Sequence, residues 1–208
     1  MPKTSVTAPA GKASVVNLPN ALTLFRLVLV PAFVWLMFVD GAPWRWLALV
    51  VFVVASITDH LDGQIARSRG LVTEFGMLAD PIADKALTLG AFIVFSWQGA
   101  LPWWFTVLVG VREVGITLLR EVLRRQGKVI PAGKGGKLKT GLQITLIIWV
   151  LIPWSGLLAF LLPDAWVSVV SSGVDVVAWL LMVVTVIQTW VSAVPYLVNV
   201  WKWRQNRG

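Results

Sequence analysis

Residues 59–85 read DHLDGQIARSRGLVTEFGMLADPIADK and lie between two long apolar runs. Asp59, Asp62, Asp80 and Asp84 fall where the flanking pattern predicts helix inside a bilayer. Ionised carboxylates at that depth are costly, and acidic groups held there mark function. Asp59 and Asp62 are spaced i, i+3, and Asp80 and Asp84 i, i+4, so each pair shares one helix face. The short connection at 68–74 makes the two helices antiparallel neighbours whose acidic faces can meet. Four carboxylates in a low-dielectric pocket require raised pKa values or neutralising cations. Oxygen-only ligands suit Mg²⁺ or Mn²⁺ rather than zinc. Two such ions balance four carboxylates, and a pair roughly 3.5–4 Å apart clamps an in-line phosphoryl displacement.

The surrounding composition sets this stretch in a membrane. The chain has 208 residues, 57% hydrophobic and 13% charged, with a mean hydropathy of +0.78, outside the range of soluble domains. Cysteine is absent, which excludes disulfides and thiolate metal sites. A single histidine, His60, excludes the paired His/Lys/Asp motifs of phospholipase-D-type enzymes. On a helix His60 points about 100° or more away from Asp59 and Asp62, so it reads as a spacer rather than a ligand. The net charge of +8 reads as membrane topology and attraction to anionic lipid or phosphorylated substrate, not nucleic-acid binding, because the tryptophans lie at helix ends.

Working outward, residues 1–16 form a polar, flexible cytoplasmic tail, and 17–208 form one membrane domain. Spans of roughly 20 apolar residues are expected at about 20–39, 45–67, 75–97, 102–125, 138–161 and 174–200. Loop Lys and Arg concentrate in the tail, at 68–74, at 126–137 and at the C-terminus, with only Arg45 on the opposite side. Six transmembrane helices with both termini cytoplasmic satisfy that asymmetry. Trp44, Trp46, Trp97, Trp103, Trp104, Trp154 and Trp166 mark the outer interface. The expectation is therefore an all-α integral membrane protein with a cytoplasm-facing polar cavity among its helices. Gly63 and Ala66 leave room for a ligand beside the carboxylates. Pro81 is expected to kink the third span and re-aim Asp80. Small residues along the third and fifth spans suit packing within the chain or in a homodimer.

A second polar set lies at Arg112-Glu113, at Arg120, and in GKGGKLKTGLQ, residues 133–143. Arg112 sits in an otherwise apolar span, with Arg120 eight positions on and Lys137 and Lys139 opening the fifth span. Helix N-termini favour anions. Together Arg112, Arg120, Lys137 and Lys139 are expected to form a phosphate pocket, while Arg124, Arg125, Lys128 and Lys134 are topology markers. Glu113 is expected to pair with a neighbouring base. The structural alternative for the aspartates is salt bridging to Arg67, Lys85 or Arg112.

The run Asp59-x2-Asp62-Gly63-x2-Ala66-Arg67-x8-Gly76-x3-Asp80-x3-Asp84 resembles the complete signature of the CDP-alcohol phosphotransferase family. These enzymes displace CMP from a CDP-linked group with an alcohol. The resemblance implies that the four aspartates hold two metal ions and that Asp84 is the base; spacing does not distinguish Asp84 from its neighbours. It implies CDP-lipid contacts at Asn20, Thr23, Gly63, Arg67 and Thr73. From NLPNALTLFR, DPIADK, the Arg-Glu with its following Leu-Arg, and GKLKTGLQ, it implies CDP-diacylglycerol as donor and sn-glycerol 3-phosphate as acceptor. Within the family, inositol 1-phosphate or phosphatidylglycerol are the alternative acceptors. Outside it, a divalent-cation transporter accounts for the carboxylates but not for Ala66-Arg67 or the basic set.

Overall fold

The structure, a computed structural model, describes residues 18–69, 74–126 and 134–205. Side chains are described outside 18–20, 60–69, 74–82, 84, 134–135 and 202–204. The helices are α1 (Leu18–Met37), α2 (Ala42–Arg69), α3 (Glu74–Trp97), α4 (Trp103–Arg125), α5 (Lys134–Leu151), α6 (Trp154–Leu161), α7 (Asp164–Val191) and α8 (Val194–Gln205). No strand occurs among the described residues.

The first four expected spans correspond to α1 through α4 within a few residues. Their turns have clear causes. Gly41, between α1 and α2, has φ 114°, and Gly99, between α3 and α4, has φ 75°. Side chains with a Cβ are strained in that region. Pro102 is extended (φ −72°, ψ 142°) immediately before α4, as befits a residue without an N–H at a helix entrance. α3 continues through Pro81 as one helix.

The later spans are built differently from the sequence expectation. The stretch expected as one span at 138–161 is two helices, α5 and α6, bent by 62° at a break around Pro153. Pro153 cannot donate the backbone bond that would carry the helix through. The stretch expected to begin near 174 already starts at Asp164, after extended Leu162 and Pro163. The serine hydroxyls in this first part of α7 bend back onto the helix. Ser171 Oγ and Ser172 Oγ donate to the Ser168 carbonyl at 2.9 and 3.0 Å, so their hydroxyls are satisfied without water. A further short break at Ser192–Ala193 separates α7 from α8. Pro195 sits in the first turn of α8, where its missing N–H costs least.

One apolar core joins six of the helices. Phe33, Leu36 and Met37 (α1), Phe52 (α2), Phe92 and Phe95 (α3), Phe105 and Val109 (α4), Leu146, Ile147 and Leu151 (α5) and Met182 (α7) are all buried in it. The Phe92 and Phe105 rings meet edge-on at 5.0 Å, a favoured aromatic geometry. α1 packs against both α2 and α3, and α5 against α7. Two buried hydroxyls pair with each other: those of Ser96 and Thr106 lie 2.7 Å apart across the α3–α4 contact, and Thr106 also donates to the Phe92 carbonyl. A smaller cluster, Leu123 with Tyr196, docks α8 on the end of α4.

The outer surface is apolar. Val28, Trp35, Ile57, Trp97, Val111, Leu118, Phe160, Val176, Leu180 and Ile187 are all exposed, far beyond the patches a water-soluble monomer tolerates. The α2 segment Ala42–Asp59 and the α7–α8 stretch Asp164–Trp201 are long and apolar enough to cross a bilayer, and the bent α5–α6 pair is so when taken together. Ala21–Met37 and Lys85–Trp97 are shorter apolar helices. The chain is an all-α integral membrane protein.

Candidate active site

α2 carries Asp59, Asp62, Gly63, Ala66 and Arg67 in its last third, and α3 carries Gly76, Asp80 and Asp84 in its first half. Both halves of the acidic motif are thus helical, as their spacing requires. The side chains of Asn20, Asp62, Gly63, Arg67, Asp80 and Asp84, and Thr73 as a whole, lie outside the described residues. Thr23 is buried in α1.

Asp59 shows what that end of α2 can bind. Its carboxylate is 39% exposed and lies 2.5 Å from a guanidinium nitrogen of Arg26, which is fully buried in α1. Arg26 was visible in the sequence only as a charge interrupting an apolar run. The signal that it belonged to the site was physical: a buried arginine in such a helix needs a counter-charge, and the acidic stretch supplies one. Of the salt-bridge partners expected for the aspartates, the Arg67 side chain lies outside the described residues. Lys85 and Arg112 turn instead to Glu113. No group of three or more metal-type side chains gathers among the described residues. The donor set fits hard divalent ions in kind, since every candidate ligand is a carboxylate oxygen.

The basic set divides. Arg112 and Lys139 come together, both under 10% exposed, on either side of Glu113, itself 6% exposed. Glu113 Oε1 accepts from Lys139 Nζ, from Arg112 Nη1 at 3.2 Å and from Gln143 Nε2 at 3.2 Å. Its Oε2 lies 3.6 Å from Lys85 Nζ. Arg112 Nη2 also donates to Ser192 Oγ at 2.7 Å, and Ser192 donates on to the Thr189 carbonyl. One carboxylate therefore gathers hydrogen-bond donors from α4 and α5 and a further cation from α3, and Arg112 extends the network to the α7–α8 break. Glu113 pairs with a base, as expected, but its partners lie on three helices, which spacing along one helix could not reveal. Arg120 stands apart, exposed, with its guanidinium carbon 5.9 Å from the Tyr196 ring centroid, a cation–π distance. Lys137 is exposed.

Between α3, α4 and α5 lies a polar cleft lined by Lys85, Thr88, Glu113, Lys139, Thr140 and Gln143. Lys85 directly follows Asp84 in sequence. The cleft and the acidic motif are thus consecutive along α3. Two ammonium groups line the cleft beside the Glu113 carboxylate, a lining whose charge suits an oxyanion; the Thr140 hydroxyl donates to the Gly136 carbonyl at 3.2 Å and the Gln143 amide to Glu113.

Comparison with known proteins agrees with this chemistry. The family model described as CDP-alcohol phosphatidyltransferase matches residues 16–201. A Mycobacterium tuberculosis protein named probable phosphatidylglycerophosphate synthase is 47% identical over 176 residues, covering 81% of this chain and 84% of its own. The Bacillus subtilis CDP-diacylglycerol–glycerol-3-phosphate 3-phosphatidyltransferase is 35% identical over 189 residues, covering 84% and 92%. A protein of the same name from Shigella flexneri is 33% identical over 177 residues, covering 83% and 92%. With the acidic signature on α2 and α3 and a family match over nearly its whole length, the chain belongs to the CDP-alcohol phosphatidyltransferase family.

Proposed function

We propose that the chain transfers the phosphatidyl group of CDP-diacylglycerol to sn-glycerol 3-phosphate, giving phosphatidylglycerophosphate and CMP. The observation that carries this acceptor is the buried basic cleft beginning one residue beyond Asp84. An acceptor bearing its own phosphate needs such a cleft, whereas an uncharged alcohol does not. The printed names of the relatives point the same way. The topology we infer has six crossings, both termini cytoplasmic and the site opening to the cytoplasm, with acyl chains left in the bilayer.

Asp59, Asp62, Asp80 and Asp84 are the residues that would hold two Mg²⁺ or Mn²⁺ ions. Bound there, such ions supply charge neutralisation for the diphosphate. Asn20, Thr23, Gly63, Arg67 and Thr73 are the proposed contacts of the CDP-lipid. Lys139 and Lys85 hold the acceptor phosphate, with Arg112 behind them. That pocket is smaller than the sequence suggested, because Arg120 is engaged with Tyr196 and Lys137 is exposed.

Asp84 takes the proton from the attacking hydroxyl, which must lie within hydrogen-bond reach. The hydroxyl oxygen then bonds the lipid-side phosphorus, and the bond from that phosphorus to the CMP oxygen breaks. No side chain is needed as a covalent carrier.

A panel of radiolabelled acceptors, supplied with CDP-diacylglycerol and Mg²⁺, tests the reading. Label from sn-glycerol 3-phosphate is expected in lipid faster than from inositol 1-phosphate, and at least about tenfold faster than from phosphatidylglycerol, which lacks a phosphate monoester and so loses a fitted charged contact. CMP release is expected to depend on acceptor. A stoichiometric burst of CMP without acceptor would contradict direct displacement, and preferred labelling from another acceptor would replace the substrate.

A further inference from the structure

Glu113 is a buried carboxylate that the proton transfer at Asp84 does not use, yet it is the most heavily engaged acidic group among the described residues. Three cations surround it: Lys139, Arg112 and Lys85. Buried ion pairs contribute little net stability over apolar residues of similar volume, so packing alone does not account for this cluster. Its position does. Glu113, Lys85 and Lys139 open onto one cleft between α3, α4 and α5. Among the described residues, three cations against one carboxylate leave a surplus of two positive charges, which a phosphate monoester dianion neutralises.

The contacts are also divisible. An ammonium has three donors, so Lys139 can keep one on Glu113 while offering others to the cleft. Lys85 Nζ, at 3.6 Å from Oε2 and with 22% of its side chain exposed, lies outside ordinary hydrogen-bond range and is held by charge alone. Gln143, donating to Oε1 at 3.2 Å, fixes the carboxylate that both lysines face.

We propose that Glu113 is a placeholder anion. It holds the Lys85 and Lys139 ammonium groups at the cleft when no acceptor is bound and yields them to the acceptor's phosphate on binding. It is a positioning residue that also weakens acceptor affinity, since the incoming phosphate competes with it for the same cations. This inference rests on the acceptor reading proposed above.

The test uses the full chain in detergent and reads thermal unfolding against rising inorganic phosphate, together with Michaelis constants for both substrates. Glu113→Gln preserves size and removes the charge. Its melting temperature without phosphate is expected to fall. The phosphate concentration giving half the stabilising shift is expected to drop about tenfold, the scale of one partly screened charge interaction. The KM for sn-glycerol 3-phosphate should fall in parallel, and that for CDP-diacylglycerol should not. Glu113→Asp, which keeps the charge, should respond to phosphate as the wild type does. Glu121→Gln, removing an exposed carboxylate paired with Arg124 and Arg125 on the same helix, should leave the phosphate response unchanged.

A half-saturating phosphate concentration that is unchanged or higher in Glu113→Gln overturns the proposal, as does a Glu113→Asp variant that behaves like it. If Glu113→Gln is not recovered folded, Lys85→Gln reads the same cleft from its cationic side. It should raise the half-saturating concentration about tenfold, and no change would overturn the proposal. Wild-type transfer to sn-glycerol 3-phosphate is read separately. Its absence would refute the acceptor, whereas an unaltered phosphate response in the variants refutes only the role of Glu113.

Discussion

Replacing Asp84 with Asn is expected to reduce turnover by about a thousandfold or more, the upper part of the range for a general base, while the protein inserts and melts as the wild type does. Asn is nearly isosteric with Asp, so the helix is not asked to repack. Only the charge and the proton-accepting lone pairs are lost. Asp80→Asn should be equally inactive for a different reason: it removes one of four proposed metal ligands. The two variants separate on raising Mn²⁺. Partial recovery is expected for Asp80→Asn, where a weakened site refills by mass action, and none for Asp84→Asn, where the base is missing. The measurement is CMP release by purified protein over a Mn²⁺ titration, with membrane fractionation and thermal melts as controls. Normal turnover in both variants would refute the catalytic assignment.

The second large effect is expected at Lys139. Lys139→Ala should raise the KM for sn-glycerol 3-phosphate about ten- to a hundredfold, the equivalent of one charge-assisted hydrogen bond, with little change in the KM for CDP-diacylglycerol. The residue is buried at the opening of α5, and its ammonium is shared between Glu113 and the cleft. Arg112→Ala should act in the same direction by a smaller factor, because Arg112 does not line the cleft and instead joins Glu113 to Ser192. Steady-state kinetics with each substrate varied in turn checks both. Equal increases in the two Michaelis constants would remove these residues from the acceptor side.

How far the sequence could be read depended on whether the information was local. The acidic motif was legible because i, i+3 and i, i+4 spacing is a property of one helix, and both segments are indeed helical on α2 and α3. The first four helices were legible from apolar runs bounded by Gly41, Gly99 and Pro102. The break at Pro153 was not, because hydropathy continues unbroken through a residue that ends the backbone ladder. The early start of α7 was not, because the Pro163-Asp164 turn signal does not say how soon the next helix begins, and the helix starts at Asp164 itself. The partnerships hardest to foresee were those between helices. Arg26 reaches Asp59 across the α1–α2 contact, and Glu113 collects Lys85 and Lys139 from α3 and α5. Each was implied by charge balance, since a buried cation must meet an anion, but the choice among available anions is made by packing. Arg120 illustrates the converse: Arg112 meets Ser192 and Arg120 meets Tyr196 four residues on, so the two share a side of α4, but the Tyr196 ring receives Arg120 near the end of the helix where α8 docks.

Transfer as proposed requires divalent ions held between α2 and α3 by Asp59, Asp62, Asp80 and Asp84. The most direct test is anomalous diffraction from crystals of the full chain grown with Mn²⁺. Two anomalous peaks roughly 3.5–4 Å apart, each bounded by carboxylate oxygens from both helices, are the predicted result. Ordered carboxylates turned apart toward the lipid, with Mn²⁺ elsewhere or bound to fewer than three of them, would contradict it.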